Sequence, residues 1–113
     1  MYTEVIGIID IGSNTIRLVI YGIDEFYNYI EIQNIKTPAR LSQYLIKDKD
    51  SEHALMSQDG IDKLVETLVS FKAVADSFKV ARILPMATAA VRQSANKEDI
   101  LEQVKKATDL DIN

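Results

Sequence analysis

One carboxylate and a short polar turn near the N-terminus have residue types that can bind a metal ion and phosphate. Asp10 stands near the end of an apolar run, and Gly12, Ser13, Asn14 and Thr15 follow it closely. A carboxylate oxygen is a good ligand for a hard cation, and a tight turn can present N–H donors to phosphate oxygens. The same residue types also favour ordinary turns. The residues alone therefore predict either a metal–phosphate site or a simple hairpin turn.

The roles within this segment follow from the chemistry of each residue. Because apolar residues flank Asp10, we expect its charge to lie between buried strands, where a carboxylate without a function would be costly. Gly12 permits a positive φ and a close approach of the backbone, while Ser13 and Asn14 add side-chain donors. The alternative for Asp10 is a carboxylate that only caps the turn.

Three strands are predicted to position this turn. Residues 5–11 and 16–21 are rich in Ile and Val, which indicates buried strands joined as a hairpin. Residues 28–36 alternate with period two, which is typical of a half-exposed strand, and Pro38 should end it. The connection at residues 22–27 makes the three strands an antiparallel meander.

A helix and a parallel strand are predicted to follow the meander. Residues 57–78 have one apolar stripe over several turns, and Ser57 is a suitable N-cap. Residues 80–84, which precede Pro85, read as a strand that returns parallel to the first. We expect a helix to begin within residues 86–92, with Thr88 as its cap and its hydroxyl facing a phosphate. Asn96 is expected to cap a further helix in a capping box with Asp99.

Two motifs together resemble one enzyme family. The segment D-I-G-S-N-T at residues 10–15 and the segment P-M-A-T-A-A-V-R at residues 85–92, with Asn96 beyond it, resemble the Ppx/GppA phosphatases. A weaker match begins at Arg40, and the three segments occur in family order over nearly the whole chain. Thr15 stands where Ser is commoner in the family, and Ser42 stands where many members have Gly, so the loop after Arg40 is expected to differ in shape.

The resemblance implies a fold and a set of site residues. The fold is α/β, a ribonuclease-H-like half-domain of the actin, Hsp70 and sugar-kinase superfamily. We expect residues 1–113 to form a single N-terminal domain, truncated before its fifth strand. Asp10 is implied as the metal ligand and, with Arg92, as a catalytic residue. The implied phosphate-binding residues are Gly12, Ser13, Asn14, Thr15, Arg40, Thr88 and Arg92.

The function implied by the resemblance is hydrolysis of a phosphoanhydride bond. The parent enzyme would release terminal phosphate from inorganic polyphosphate or guanosine pentaphosphate, a stringent-response nucleotide, with Mg²⁺ or another divalent cation. The family's catalytic glutamate and its second glycine-rich phosphate loop have no match within residues 1–113. The chain alone is therefore expected to be inactive. Two alternatives stay open: a sensor that binds polyphosphate or an alarmone without hydrolysis, and a small-molecule kinase of the same superfamily.

Composition restricts the partners. The net charge is −4 and the pI is about 4.9, which argues against a general DNA or RNA binder. Because the overall charge is negative, the positive field that a phosphate site needs must come from groups close to that site. The chain has no Cys, no apolar run of the ~20 residues that a membrane span needs, and no signal-peptide pattern. We expect a cytoplasmic protein without a membrane partner.

Three further expectations concern loops, the single histidine and assembly. The charged run at residues 47–52 is expected to be a solvated loop, and His53 is not expected to be catalytic. A missing fifth strand would leave the fourth as an open edge. We therefore expect self-association through that edge, with a homodimeric parent protein.

Overall fold

In the computed structural model, which describes residues 1–47 and 54–113, the chain forms a four-stranded sheet with helices on one face. The spatial order of the strands is β3-β2-β1-β6, and β4 and β5 form a separate two-stranded sheet. The strands are β1 (Glu4–Ile11), β2 (Ile16–Ile23), β3 (Tyr29–Thr37), β4 (Leu45–Lys47), β5 (Ala54–Met56) and β6 (Arg82–Ala87). The helices are α1 (Gln58–Ser77), α2 (Ala89–Arg92) and α3 (Lys97–Thr108), and a 3-10 turn covers Leu41–Tyr44.

The predicted meander and crossover are confirmed. β1 pairs antiparallel with β2, β2 pairs antiparallel with β3, and β6 lies parallel to β1 on its other side. Alternate residues of β1 and β2 face α1, so their Ile and Leu side chains form the core: Ile9, Ile11, Ile16, Leu18 and Ile20 are fully buried. The α/β class that the resemblance implies is therefore the observed one.

Helix α1 provides the layer over the sheet. Its N-cap is Ser57, whose hydroxyl accepts from the N–H of Gly60 at 3.2 Å, as the sequence predicts. The predicted apolar stripe is buried at Ile61, Leu64 and Leu68. None of the helices that the structure describes has the length and apolar character required to cross a bilayer.

Strand β6 continues through Pro85, beyond its predicted end at residue 84. Pro85 lies inside β6, in register with Ile9 of β1. The carbonyl of Pro85 accepts from the N–H of Asn113 at 3.0 Å, on the side away from β1. Because the N–H and C=O of one strand residue point to the same side, the donor that proline lacks would also point away from β1. The ladder between β1 and β6 therefore loses no bond, and the predicted boundary at residue 84 was wrong.

The C-terminal residue begins to pair with the free side of β6. Besides donating to Pro85, Asn113 accepts from the N–H of Ala87 at 3.1 Å. These two bonds are the pattern of a parallel bridge opposite Met86. Asn113 therefore lies beside β6 at the edge where a fifth strand was expected, and that strand stays a prediction.

Two helix predictions need correction. The helix expected within residues 86–92 is only the single turn α2, since Met86 and Ala87 still belong to β6. Helix α3 does begin after Asn96, but the Asn96 side chain makes no capping bond. It bonds instead to the backbone of Met56 in β5.

The β4–β5 hairpin was not predicted. The 3-10 turn at Leu41–Tyr44 leads into its first strand. The charged run at residues 47–52 lies outside the described residues apart from Lys47, which ends β4, and so does His53.

Candidate functional site

The candidate residues meet at the edge of the sheet where β1 and β6 both end. Asp10 is the penultimate residue of β1 and is in register with Arg17 of β2 and Met86 of β6. The loop at residues 12–15 joins β1 to β2 just beyond it. The parallel pairing of β1 with β6 brings Thr88 to the same edge, as the motif spacing requires.

Asp10 is exposed, which corrects the expectation of a buried charge. Ile9 and Ile11 point into the core, so the alternation of β1 places Asp10 on the opposite, open face of the sheet. In the described part of the chain, Asp10 forms no ion pair with Arg17, whose guanidinium donates to Asn34 Oδ1 at 3.2 Å. The cost of burial therefore gives no argument for function at Asp10.

In the loop at residues 12–15, the carbonyl groups of Ser13, Asn14 and Thr15 accept hydrogen bonds, whereas the N–H groups of the same three residues are free to donate in the described part of the chain. The Ser13 carbonyl accepts from Ser42 N–H at 2.9 Å, and the Asn14 carbonyl accepts from Arg40 N–H at 2.9 Å. The Thr15 carbonyl accepts from Gly12 N–H at 3.0 Å. Within residues 1–47 and 54–113, the N–H groups of Ser13, Asn14 and Thr15 donate to no acceptor. Backbone N–H groups that are free in a turn can donate to an anion.

Gly12 is needed for space and not for an unusual φ. No glycine of the described chain has a positive φ, so the expected left-handed role at Gly12 was wrong. A Cβ at this position would lie 2.8 Å from the Thr15 carbonyl oxygen. The close approach that the sequence predicted is therefore the reason for glycine in this turn.

The segment after β3 braces the loop. Arg40 adopts a left-handed backbone conformation, with φ at 53°, and its N–H bonds to the loop. Ser42 contributes a second contact, since its hydroxyl donates to Asn14 Oδ1 at 2.9 Å. Ser42, which stands where many members of the family that the chain resembles have Gly, therefore orients the Asn14 amide and, among the described residues, leaves the Asn14 Nδ2–H₂ group free to donate.

Thr88 has a different role from the expected helix cap. Its hydroxyl makes no capping bond and donates to the carbonyl of Ile11 at 3.1 Å. Because α2 is one turn long, the argument for anion binding at its N-terminus also fails. The hydroxyl retains its lone pairs, but its proton already joins β6 to β1.

Arg92 is close to the end of β6. Its Nε–H donates to the carbonyl of Ala87, and its side chain lines a small cavity with Ile112 and Asn113. A second pocket, which is lined in part by Ser13, shares no described lining residue with this cavity. The structure thus brings Asp10, the loop and Thr88 together at the ends of β1 and β6, and holds Arg92 against the end of β6.

A pocket of about 180 Å³ lies beside the loop, and no sequence pattern predicted it. It lies between the β4–β5 hairpin and the α2 region, with the loop on one side. The described residues that line it are Ser13, Leu45, Ala54, Ala89, Ala90, Gln93 and Ser94. Gln93 and Ser94 follow the A-T-A-A-V-R segment but have no chemical pattern that would mark them as site residues.

The residues present fit a cation that is shared with a substrate better than a metal held by protein alone. Within the described ranges, no three His, Asp or Glu side chains cluster as a metal cage. Mg²⁺ is commonly bound by one or two carboxylates together with phosphates and water. Asp10, an exposed carboxylate at the start of a loop whose N–H donors are free in the described chain, matches a Mg²⁺ ion that is bound jointly by one carboxylate and substrate phosphates.

Comparison with known protein families gives a match over most of the chain. The family model described as "Ppx/GppA phosphatase family" matches residues 29–113. The chain is 29% identical over 107 residues to Exopolyphosphatase 1 of Mycobacterium tuberculosis, which covers 95% of this chain and 30% of that protein. It is 31% identical over 103 residues to Exopolyphosphatase 1 of Mycobacterium leprae, covering 91% of this chain and 29% of that protein. The chain therefore spans about a third of the length of these relatives.

Solved structures show the same fold. The Ppx/GppA family member of Aquifex aeolicus superposes with a TM-score of 0.84 at 29% identity, covering 97% of this chain and 34% of that one. An exopolyphosphatase from Cytophaga hutchinsonii gives a TM-score of 0.82 at 27% identity, covering 96% and 33%. A non-polymerisable mutant of pCBH ParM matches at a TM-score of 0.53 and 12% identity, covering 100% and 42%, which extends the likeness to an actin-like fold.

Proposed function

The chain belongs to the Ppx/GppA phosphatase family, and from this premise we propose that it is the N-terminal part of a hydrolase that releases terminal phosphate from inorganic polyphosphate or guanosine pentaphosphate. Relatives named as exopolyphosphatases support the polyphosphate substrate. Because both substrates end in a phosphoanhydride, one Mg²⁺-dependent hydrolysis would serve both. The reaction would take place in the cytoplasm.

One observation carries the proposal to this site. Three consecutive N–H groups, from Ser13 to Thr15, are left without acceptors in the described chain, while the carbonyls of the same residues are all bonded. Oriented N–H dipoles bind phosphate oxygens and need no cationic side chain, which suits a protein with a net charge of −4. The loop would therefore hold the terminal phosphates of the substrate.

The side chains around the loop have separate tasks in this proposal. The Asn14 amide, oriented by Ser42, would donate to a phosphate oxygen, and the Ser13 hydroxyl would add a second donor. Arg92 would use its terminal guanidinium nitrogens on a more distant phosphate, since its Nε is held by Ala87. Arg40 braces the loop through its backbone and would supply positive charge from its exposed side chain.

Asp10 is the residue that would hold a Mg²⁺ ion jointly with the substrate. When bound, such an ion offsets negative charge on the phosphates during in-line attack by water. The exposed position of Asp10 at the mouth of the loop suits a ligand that must also reach substrate phosphate. The water-activating carboxylate is not among the residues assigned here, so we propose that the chain by itself supports no turnover.

The test is phosphate release by the parent protein, with Mg²⁺, from long-chain polyphosphate and from guanosine pentaphosphate in parallel. We expect Asp10→Asn to reduce release by about 100-fold or more, the order of effect of removing one charge-stabilising group. Asp76→Asn is the matched control, because Asp76 is an exposed carboxylate in the last turn of α1.

Each other outcome has a definite meaning. Binding of both substrates without release would replace the hydrolase with the sensor alternative. Transfer of phosphate from ATP to a sugar or an acid would favour the kinase alternative. Multiple turnovers by the 113-residue chain alone would refute the requirement for further residues.

A further inference from the structure

The β4–β5 hairpin forms one wall of the pocket beside Ser13, through Leu45 and Ala54. Among the described residues its ladder has three residue pairs, from Leu45 and Met56 to Lys47 and Ala54. An isolated two-stranded hairpin is marginally stable in water. The position of this wall must therefore be fixed by contacts from outside the hairpin.

Asn96 supplies the side-chain contact that does this. Its Oδ1 accepts from Met56 N–H at 3.0 Å, and its Nδ2 donates to the Met56 carbonyl at 2.9 Å. The amide thereby reproduces the pair of bonds that a neighbouring strand residue would exchange with Met56. The adjacent Ala95 N–H donates to the Ala54 carbonyl at 2.9 Å, so residues 95 and 96 together act as a short third strand.

The opposite end of the same segment is fixed to the phosphate loop. Ser42 bonds to Ser13 and Asn14, and the 3-10 turn leads from Ser42 directly into β4. At the other end, β5 is held to the junction between α2 and α3 by Asn96. The width of the pocket between these two anchors therefore depends on the contact between Asn96 and Met56, together with the packing of Met56 beside Gly60 of α1.

We propose that Asn96 is a positioning residue that sets the pocket wall and thereby the affinity for the part of a phosphate chain beyond its terminal groups. The proposal rests on the proposed function, because that function places the terminal phosphates at residues 13–15, next to this pocket. Asn96 makes no contact with the reacting atoms. Its loss should weaken substrate binding more than the chemical step.

Asn96→Asp changes the side-chain contact with Met56 but keeps a residue that is favourable at the start of α3. Asp is as good an N-cap as Asn, so α3 should keep its start, and the carboxylate can still accept from Met56 N–H. It cannot donate to the Met56 carbonyl, and a negative oxygen would then face that carbonyl oxygen. Asn96→Ala removes both bonds, and Gln103→Ala is the matched control, since the Gln103 amide on the same helix bonds only to side chains.

The experiment measures two quantities in the parent protein: hydrogen exchange of the Met56 and Ile100 amides, and the kinetics of phosphate release from long-chain polyphosphate. For Asn96→Asp and Asn96→Ala we expect faster exchange at Met56, unchanged exchange at Ile100, a KM raised about tenfold and a kcat within about twofold of wild type. Gln103→Ala should leave exchange at Met56 and both kinetic constants unchanged.

Two results would overturn the proposal. Wild-type exchange and kinetics in Asn96→Asp would show that the bond from Asn96 to the Met56 carbonyl does not set the wall. Faster exchange at Met56 with an unchanged KM would show that the wall does not affect binding. Failure of the proposed function is read separately, on the wild-type protein, as neither release nor binding of polyphosphate.

Discussion

Thr88 donates both its backbone N–H, at 3.0 Å, and its hydroxyl, at 3.1 Å, to the single carbonyl of Ile11. Ile11 ends β1, and Thr88 directly follows β6. The two parallel strands are therefore joined at the edge where the phosphate loop begins. A side chain that was expected to cap a helix instead fixes the ends of two strands, and its contact with a phosphate stays a prediction.

Removal of the Thr88 hydroxyl should affect stability. We expect Thr88→Val to lower the free energy of unfolding by about 1 kcal/mol, because a partly buried hydrogen bond is lost without a change in side-chain shape. Urea denaturation measures this, and Thr88→Ser, which keeps the hydroxyl, should stay near wild type. An unchanged unfolding free energy with a raised KM for polyphosphate would instead assign the hydroxyl to the substrate.

Replacement of Arg92 by lysine should weaken substrate binding although the charge is kept. Lysine cannot donate to the Ala87 carbonyl and a phosphate with the fixed fork of a guanidinium. We expect Arg92→Lys to raise the KM for polyphosphate about tenfold, which corresponds to roughly 1.4 kcal/mol. Arg82→Lys is the control, because Arg82 is exposed on β6 and, among the described residues, forms a surface ion pair with Glu4 at 3.7 Å. Equal kinetics for the two variants would remove Arg92 from the site.

Gly60→Ala should destabilise the chain even though alanine favours helices. A Cβ on Gly60 would lie 2.4 Å from Tyr44 Cβ and 2.9 Å from Met56 Cγ, so the β4–β5 hairpin would have to move away from α1. We expect a loss of about 1–3 kcal/mol from this overpacking, in place of the gain of about 1 kcal/mol that helix propensity alone predicts. The unfolding midpoint in urea decides the sign. Ser70→Ala, at an exposed site on α1, should give a small gain.

Asp24 should make stability fall in acid. Backbone N–H groups, first that of Asn28 and then that of Phe26, donate to its carboxylate and lower its pKa below the ordinary value of 3.8. A pKa that is lowered on folding stabilises the protein above the unfolded value, and this contribution is lost as the pH falls through 3.8 and below.

Asp24→Asn tests this pH dependence because it keeps an acceptor oxygen but removes the titration. We expect the decrease in urea midpoint between about pH 6 and about pH 3 to be smaller in the variant than in wild type. An equal decrease in both proteins would mean that other carboxyl groups account for the acid sensitivity.

Patterns of alternation and periodicity predicted most of the fold. The hairpin of β1 and β2, the third strand and α1 were all found within one or two residues, because the apolar runs, the alternation and the helical stripe are regular patterns in the sequence. The crossover into a parallel β6 followed from the order of the elements. Local pattern was sufficient where burial decides the structure.

The errors occur where a side chain or carbonyl bonds to a distant element. Pro85 ends a strand in local rules, but its missing donor points away from β1. Asn96 has the sequence of a helix cap, yet Met56, 40 residues earlier, takes both ends of its amide. Asp10 lies in an apolar run, and only the tertiary arrangement shows that its face of the sheet is open. None of these partners can be read from neighbouring residues.

Pro85 also controls how any further strand can join the sheet. The pairing of Asn113 begins at the Pro85 carbonyl and continues to the Ala87 N–H, so only one alignment gains both bonds. A strand from another molecule that slid along this edge would meet a pyrrolidine ring where it needs a donor. The proline therefore disfavours a parallel neighbour with a residue opposite Leu84, and the self-association predicted at this edge should favour chains in the alignment that Asn113 takes.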